Sequence, residues 1–462
     1  METLRHCFPP NLRQFLNELP ESLDETYERI LRGINKAQKD NARRLLQCLT
    51  VAVRPLRVEE LAELLAFDFQ ATSSGGIPKL KEDWRWDDQE EAVLSTCSSL
   101  IAVVRSGDSR VVQFSHFSVK EYLTSHRLAQ SHGDVSRFYI DLDAAHTILA
   151  QACLGTLFRL DEQTSDLDDE WSPLVEYAAE HWVDHAQFGR VVSRVCDGMD
   201  DLFDESKPHF ARWLRMHDID DSWGSFSGGL ERGAGSPLYY AAFCGFYDLT
   251  KRLIMKHPEQ INAGGGRNLA PLPTALYKRH FRVASLLREH GAVVDVRGGL
   301  EMTPLHAASS NGDIDLMRWL LNHGADANAQ TAWGNTPLHM SRPEVVQVLL
   351  DHSVHINLQN NKGETPLYKA ISRPFSEGDL VDFVRRLLEH GADTNMPDPR
   401  HSTPLHQASS QGSLEVARLL LNHGAIVDEK DREGRTPFQI ASEKGHHELT
   451  KLLLEHGTVS HP

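Results

Sequence analysis

The chain has 462 residues, of which 40% are hydrophobic and 24% are charged. This length exceeds what one compact hydrophobic core usually organises, so we expect two or more structural units. No apolar run approaches the ~20 residues needed to span a bilayer. We therefore expect a cytoplasmic protein, with the nucleus as the alternative, and no membrane partner. Its 48 basic and 65 acidic side chains give a net charge of -17, which argues against nucleic acid and favours a protein partner with a basic face.

The first part of the chain shows helical patterns. Ser22-Leu-Asp-Glu25 is a capping box, and apolar residues recur behind it at helical spacing. A second helix is predicted from Asp40 to Val53, and a third begins at Val58. The acidic, glycine-containing stretch 67–88 is predicted to be a loop.

The hydrophobic period then changes to two. Residues 99–105 and 110–115 flank the turn Ser106-Gly-Asp-Ser109, which predicts a β-hairpin. Ser118-Val-Lys-Glu121 is a second capping box and is expected to open another helix. Helices followed by a two-stranded hairpin indicate a small winged-helix-like domain.

Residues 127–230 are predicted to form a helical connector, with its clearest helices at 145–154 and 174–182 and a linker at 222–229. Between the helices lies a group of carboxylates that we interpret as a solvated acidic loop and not a catalytic cluster. These residues are Asp166, Asp168, Asp169 and Glu170.

The segment His181-Trp-Val-Asp-His185 places two imidazoles one helical turn apart, as in some zinc sites. Trp182 stands where the general-base glutamate of H-E-x-x-H would be, and no third ligand is apparent. We therefore expect a structural, partly exposed pair and no metal cofactor. The cysteines lie far apart and are expected to be small buried hydrophobic side chains: Cys7, Cys48, Cys97, Cys153, Cys196 and Cys244.

The C-terminal half is an array of repeats. Successive copies begin 34, 33, 33, 29, 38 and 33 residues apart, close to a 33-residue period. Five copies open with Thr-Pro, at Thr303, Thr336, Thr365, Thr403 and Thr436, and two degenerate copies precede them at Ser236 and Ala270.

Each copy has the residues that a pair of helices needs. Thr can cap a first helix, Pro suits the first helical position, and an apolar stripe behind them predicts a second helix. The repeated histidines are explained by hydrogen bonding within the repeats. The second helices end in His-Gly, where glycine can adopt the left-handed conformation. These positions are His290-Gly291, His323-Gly324, His390-Gly391, His423-Gly424 and His456-Gly457.

Several copies depart from this pattern. Ala270-Pro-Leu-Pro273 lacks the Thr and the His, and Arg279 stands where glycine is usual, so the second repeat is expected to be poorly ordered. The fourth repeat is short between Met340 and Glu344, and the extra residues 373–378 of the fifth predict a bulging loop. The polar residues of the last copy suit a terminal cap, because no further repeat covers it.

The repeats closely resemble the ankyrin family. Three N-terminal stretches, 19–31, 54–61 and 116–123, are similar to the segment that follows the NACHT module in fungal NACHT and ankyrin signalling proteins. Residues 1–19 resemble only the end of the NTPase region, which predicts a truncated paralogue or an incomplete gene model. The resemblance leaves two alternatives open: a stand-alone scaffold, or the sensor half of a signalling NTPase.

Sequence motifs for enzymatic chemistry are missing. No G-x-x-x-x-G-K-[ST] loop occurs, and Gly264-Gly-Gly-Arg267, which lacks a following capped helix, is interpreted as an ordinary loop. No nucleophile motif is present either. DNA binding is a less favoured alternative, because the helix that starts Arg57-Val-Glu-Glu60 and continues to Glu63 is acidic where phosphate contacts need Lys or Arg.

We therefore expect a mostly α fold in four parts: the end of a NACHT-like region with a linker helix (1–38), a winged-helix-like domain (39–126), the connector (127–230) and about seven ankyrin repeats (231–460). The expected function is non-enzymatic protein binding through the concave ankyrin face and its fingers, without cofactor or small-molecule substrate. The resemblance places the contact positions at Leu300, Met302, Ser310, Asn311, Trp333, Asn335, Lys362, Glu364, Arg400, Ser402, Arg432, Glu433 and Arg435. Among these we expect Trp333 to be a binding anchor, with packing on the adjacent finger as the alternative.

Overall fold

The computed structural model describes residues 22–72, 77–131, 133–159, 172–217, 235–265 and 270–459, and it is mostly α-helical. Contacts within the chain divide it into two units, Met1–Pro237 and Leu238–Pro462. Within the described ranges, no helix combines the length and apolar character required to cross a membrane.

The first unit begins with four helices: α1 (Leu23–Gly33), α2 (Lys39–Val51), α3 (Val58–Leu65) and α4 (Gln89–Cys97). As predicted, the Ser22 side chain caps α1 by accepting a hydrogen bond from the Glu25 N–H. The Tyr27 hydroxyl lies 2.7 Å from Ser118 Oγ, and its ring centroid lies 5.4 Å from that of Tyr122. Helix α1 therefore packs on the winged-helix elements, although the predicted boundary at residue 38 separated it from them.

The first unit also contains five strands in two sheets: β1 (Leu56–Arg57), β2 (Phe67–Thr72), β3 (Pro78–Leu80), β4 (Ile101–Ser106) and β5 (Ser109–Phe114). The predicted hairpin is formed by β4 and β5, with Val103 opposite Val112, and β1 pairs with β5 to give the order β1-β5-β4. The prediction of a loop at 67–88 was wrong, because β2 and β3 pair there with Phe67 opposite Leu80.

The order of these elements is that of a winged helix, with α2, β1, α3 and α4 before the hairpin. Helix α4 was missed by the sequence analysis, yet it directly precedes the hairpin. The helix predicted to open at Ser118 instead begins at Phe117, where the His116 side chain is the cap.

Helices α5 (Phe117–Leu123) and α6 (His126–Gln130) follow the hairpin. The connector then contains α7 (Leu142–Phe158), α8 (Val175–Ala186), α9 (Val191–Arg194), α10 (Cys196–Leu202) and α11 (His209–Met216). The two predicted connector helices are confirmed by α7 and α8. Trp182 and Trp213 are fully buried with ring centroids 5.3 Å apart. The Val53 N–H donates to the Tyr177 hydroxyl at 3.2 Å, so the connector packs directly on the winged-helix elements.

The second unit contains seven helix pairs in the described ranges 235–265 and 270–459. They are α12 (Pro237–Phe243) with α13 (Tyr247–Lys256), α14 (Pro271–Tyr277) with α15 (Phe281–Glu289), α16 (Pro304–Asn311) with α17 (Ile314–Asn322), α18 (Pro337–Met340) with α19 (Val346–Leu350), α20 (Pro366–Ile371) with α21 (Glu377–Glu389), α22 (Pro404–Gln411) with α23 (Leu414–Asn422), and α24 (Pro437–Glu443) with α25 (His447–Val459).

The irregular repeats differ from expectation in three places. The second repeat forms both helices, and Arg279 adopts a left-handed φ of 62° in place of glycine. Part of the insertion in the fifth repeat lengthens α21 to 13 residues, and Phe375 packs with its ring centroid 5.8 Å from that of Phe383. Gly457 does not end the last helix, because α25 continues to Val459.

Candidate functional site

The Thr-Pro-Leu-His motif caps one helix and joins it to the next repeat. In the fourth repeat, Thr336 N–H donates to His339 Nδ1 at 3.1 Å, and Thr336 Oγ1 lies 2.9 Å from the same nitrogen. His339 Nε2 donates to the Glu364 carbonyl at 3.0 Å. These partners require the neutral tautomer with its proton on Nε2.

The same arrangement recurs in the third and sixth repeats, where His306 contacts the Asn335 carbonyl and His406 contacts the Arg435 carbonyl. Burial lowers the pKa of His339 to about 4, and it also lowers the pKa values of His306 and His406. The histidines thus join neighbouring repeats in the neutral form. The sequence analysis predicted their hydrogen bonding, but not the link to the next repeat.

Four of the described fingers turn on a polar side chain that accepts two backbone N–H groups. Asn360 Oδ1 accepts from Lys362 N at 2.9 Å and from Glu364 N at 3.0 Å. Thr331, Asp398 and Asp431 do the same at the corresponding positions. The tip then uses a left-handed residue, which is glycine in three fingers and His401, at φ 59°, in another. The tip backbone is therefore fixed by its own side chains.

The tips are also tied to one another. Ala332 N–H donates to the Leu300 carbonyl at 2.9 Å, and Asn361 N–H donates to the Trp333 carbonyl at 3.0 Å. Arg432 N–H donates to the Arg400 carbonyl at 2.7 Å. Five exposed side chains lie at these tips, and we call them the fingertip row: Leu300, Trp333, Lys362, Arg400 and Arg432.

The thirteen predicted contact residues differ in exposure. Seven are exposed: Leu300, Asn311, Trp333, Lys362, Arg400, Arg432 and Glu433. Five are half-buried: Met302, Ser310, Glu364, Ser402 and Arg435. Asn335 is buried, because its side-chain oxygen accepts from Asn360 and its carbonyl from His306, so it is a structural residue and not a contact candidate.

Two of the exposed residues are large and apolar. Trp333 is 56% exposed and Leu300 is 52% exposed, although the backbone carbonyl of each accepts a hydrogen bond from the next tip. Isolated apolar side chains are common on protein surfaces. Here their backbone positions are fixed, so they form a defined apolar end of the fingertip row.

Two further features of this surface were missed by the sequence analysis. Tyr277 ends the first helix of the second repeat and is 45% exposed, at the position that Ser310 occupies one repeat later. The insertion in the fifth repeat borders a cleft of about 440 Å³, lined by Phe375, Leu380 and Val416 among others. The equal offset of Tyr277 and Ser310 from the helix-opening proline could have identified the tyrosine.

The histidine pair of the connector is buried, so the expectation of partial exposure was wrong. His185 Nε2 lies 2.8 Å from the Tyr177 hydroxyl, and His185 Nδ1 lies 2.8 Å from His146 Nδ1. Burial lowers the pKa of His185 to about 3. His181 instead pairs with Asp184, and across the described part of the chain no group of three or more metal-binding side chains occurs.

The acidic surface predicted for α3 is also incorrect. Glu60 and Glu63 are buried. Burial raises the pKa of Glu60, but hydrogen bonds from Arg54 and from the Arg57 N–H outweigh this effect and the pKa is lowered. Glu63 binds Arg85 and accepts from the Leu174 N–H. Helix α3 is thus held inside the first unit by its carboxylates.

The described cysteines fit their expected role, with Cys48, Cys97, Cys153 and Cys244 buried and Cys196 half-buried. Burial raises the pKa values of Cys48 and Cys97 to about 12, so their thiols remain protonated. Some predictions lie outside the described residues: the segment 1–21 with Cys7, the acidic group 166–170, the linker 222–229, and Gly266 and Arg267 of the glycine loop.

Comparisons with known proteins identify both halves. Residues 27–136 match the winged helix domain of GPI inositol-deacylase, and residues 272–321, 305–398 and 375–461 match ankyrin repeats. The azaphilone pigments biosynthesis cluster protein L of Monascus ruber is 32% identical over 298 residues, and the match covers 59% of this chain and 60% of that relative. The chain thus carries a winged-helix domain of this type followed by ankyrin repeats.

Proposed function

We propose that the chain is a non-enzymatic scaffold that binds a protein partner through the concave face and fingers of its ankyrin array. The observation that supports this function is the fingertip row, in which backbone hydrogen bonds join three of the four adjacent pairs of tips and Leu300 and Trp333 are exposed. Tryptophan is enriched among residues whose truncation strongly weakens an interface. Because the tip backbones are already fixed, a partner would lose little affinity to ordering them.

The first test is Trp333→Ala, with Trp84→Ala as the matched control because Trp84 is 44% exposed and lies in the first unit. We expect both variants to keep their thermal unfolding temperature. Only Trp333→Ala should fail to capture the partner protein that the unmodified chain captures from a cell lysate. Undiminished capture by Trp333→Ala would contradict the proposal, and a large loss of stability would assign Trp333 to packing.

A second test locates the contact directly. A photo-reactive amino acid at Lys362 places the crosslinker on the fingertip row, and the same group at Arg385 places it on the exposed side of α21. We expect a discrete crosslinked partner from position 362 and none from position 385. Equal crosslinking at both positions would show that the fingers have no special role.

A second candidate is the sensor half of a NACHT-type signalling NTPase. The match of residues 27–136 to a winged helix domain, followed after the connector by an ankyrin array, supports it. Transcript mapping upstream of Met1 distinguishes the two candidates. An in-frame P-loop would favour the sensor, and a stop codon would favour the stand-alone scaffold.

A further inference from the structure

The charges of this chain are distributed unequally. Residues 1–237 contain 25 basic and 40 acidic side chains, whereas residues 238–462 contain 23 basic and 25 acidic ones. Residues 1–237 therefore carry -15 of the net charge of -17, and residues 238–462 carry only -2. A partner of the array is not selected by the overall acidity of the chain.

Acidic side chains at the finger tips already have cationic neighbours. Glu301 lies 2.8 Å from Arg297, and Glu433 lies 2.6 Å from Arg435. The buried carboxylate of Asp431 also pairs with Arg435, at 2.9 Å. Because Arg435 is shared by two carboxylates, these pairs neutralise part of the negative charge along the fingers.

The three cations of the fingertip row are in the opposite situation. Lys362, Arg400 and Arg432 are exposed, and none of them lies within ion-pair distance of a carboxylate in the described ranges 22–72, 77–131, 133–159, 172–217, 235–265 and 270–459. Their charges are therefore available to a ligand. Unpaired cations on a fixed backbone steer and orient an anionic partner.

The row also has a direction. Its apolar side chains, Leu300 and Trp333, belong to the tips that come first along the chain, and its cations belong to the three tips that follow. Resting on the proposed function, we propose that the fingertip row binds an acidic protein segment carrying one large apolar side chain. The apolar group lies at Leu300 and Trp333, and the carboxylates lie along the three cations.

The experiment selects peptides from a random phage-displayed library on the full chain and remeasures each binder on variants. The finger variant combines Lys362→Glu, Arg400→Glu and Arg432→Glu. The control variant combines Lys251→Glu, Arg318→Glu and Arg385→Glu, which are exposed on second helices and change the net charge equally. Circular dichroism establishes that both variants remain folded.

We expect enrichment of acidic peptides with one Leu, Phe or Trp. Their affinity should fall at least tenfold in the finger variant and in Trp333→Ala, remain within twofold in the control variant, and weaken as salt screens the charges. Peptides that depend on Trp333 but are neutral or basic would overturn this inference and leave the proposed function intact. The absence of any finger-dependent binder would overturn both.

Discussion

The Asp295 carboxylate accepts a hydrogen bond from the Asp326 N–H at 2.9 Å, while its other oxygen, Oδ1, is buried and has no hydrogen-bond partner among the described residues. Asn395, at the corresponding position of the fifth repeat, accepts from the Ile426 N–H and also donates its amide to the Gly424 carbonyl at 3.0 Å. A carboxylate cannot make the second bond, because it has no proton to donate.

Asp295→Asn should therefore stabilise the array. The new amide can donate to the Gly324 carbonyl, as Asn395 does to Gly424, and a satisfied buried pair contributes about 1 kcal/mol. Urea unfolding measures the change. The reverse substitution, Asn395→Asp, should lower the free energy of unfolding by a similar amount. A change of the same sign for both substitutions would refute this account.

The repeats could be predicted from sequence because their signals are local. Thr336 and Pro337 specify a helix start by their own side chains, and Gly324 or Gly391 can adopt the left-handed conformation without steric cost. These preferences act within one or two turns. The second repeat lacks both the Thr and the glycine yet forms both helices, with Arg279 in the glycine conformation, so local signals alone underestimated its order.

The first unit was harder to predict because its decisive contacts join distant residues. Glu63 appeared to be a surface acid, but Arg85 and the Leu174 N–H lie 22 and 111 residues away along the chain. His185 was expected to be partly exposed, and its partner His146 lies 39 residues earlier. A helical pattern identifies a buried face, but it does not reveal which polar groups another element will cover.

Acid should destabilise the array through its buried histidines. Unfolded histidine has a pKa near 6.5, whereas burial lowers the pKa of His339 to about 4 in the folded protein. Between these values the unfolded state binds the additional proton, so stability is complete above about pH 6.5 and falls as the pH decreases. A lowering of the pKa by two units corresponds to a loss of about 3 kcal/mol in the free energy of unfolding once the pH is below both pKa values.

His339→Gln tests this origin of the acid sensitivity. Gln439 occupies the same motif position in the last repeat, where its side-chain oxygen accepts the Thr436 N–H at 2.9 Å. The variant should fold at pH 7. Between pH 7 and 5 its free energy of unfolding should fall by about 2 kcal/mol less than that of the unmodified protein. Parallel stability curves for the two proteins would mean that His339 does not titrate on unfolding.

Arg279 should be conformationally strained. Its φ of 62° lies where Gly245 and Gly312 stand in neighbouring repeats, and a side chain there costs about 1 kcal/mol. Its ion pairs with Asp313 and Asp315 are exposed and offset only part of that cost. Arg279→Gly should thus exceed Arg279→Ala in stability by about 1 kcal/mol, measured by thermal unfolding. Equal stabilities would show that this backbone is not strained.

The last helix, α25, should stabilise the array as a cap through one face only. Leu453 is buried and Leu454, the next residue, is 50% exposed, so the two leucines form a matched pair. Leu453→Ala should lower the free energy of unfolding by about 2–5 kcal/mol, whereas Leu454→Ala should change it by less than about 0.5 kcal/mol.

Deletion of everything after Lys430 should be more damaging still, because it uncovers Val416 and Leu420, which are buried in the sixth repeat. Neighbouring repeats stabilise one another through their interfaces, so this loss should also lower the unfolding temperature of the repeats before it. Unchanged unfolding of the truncated protein, or equal costs for the two leucines, would contradict the capping role.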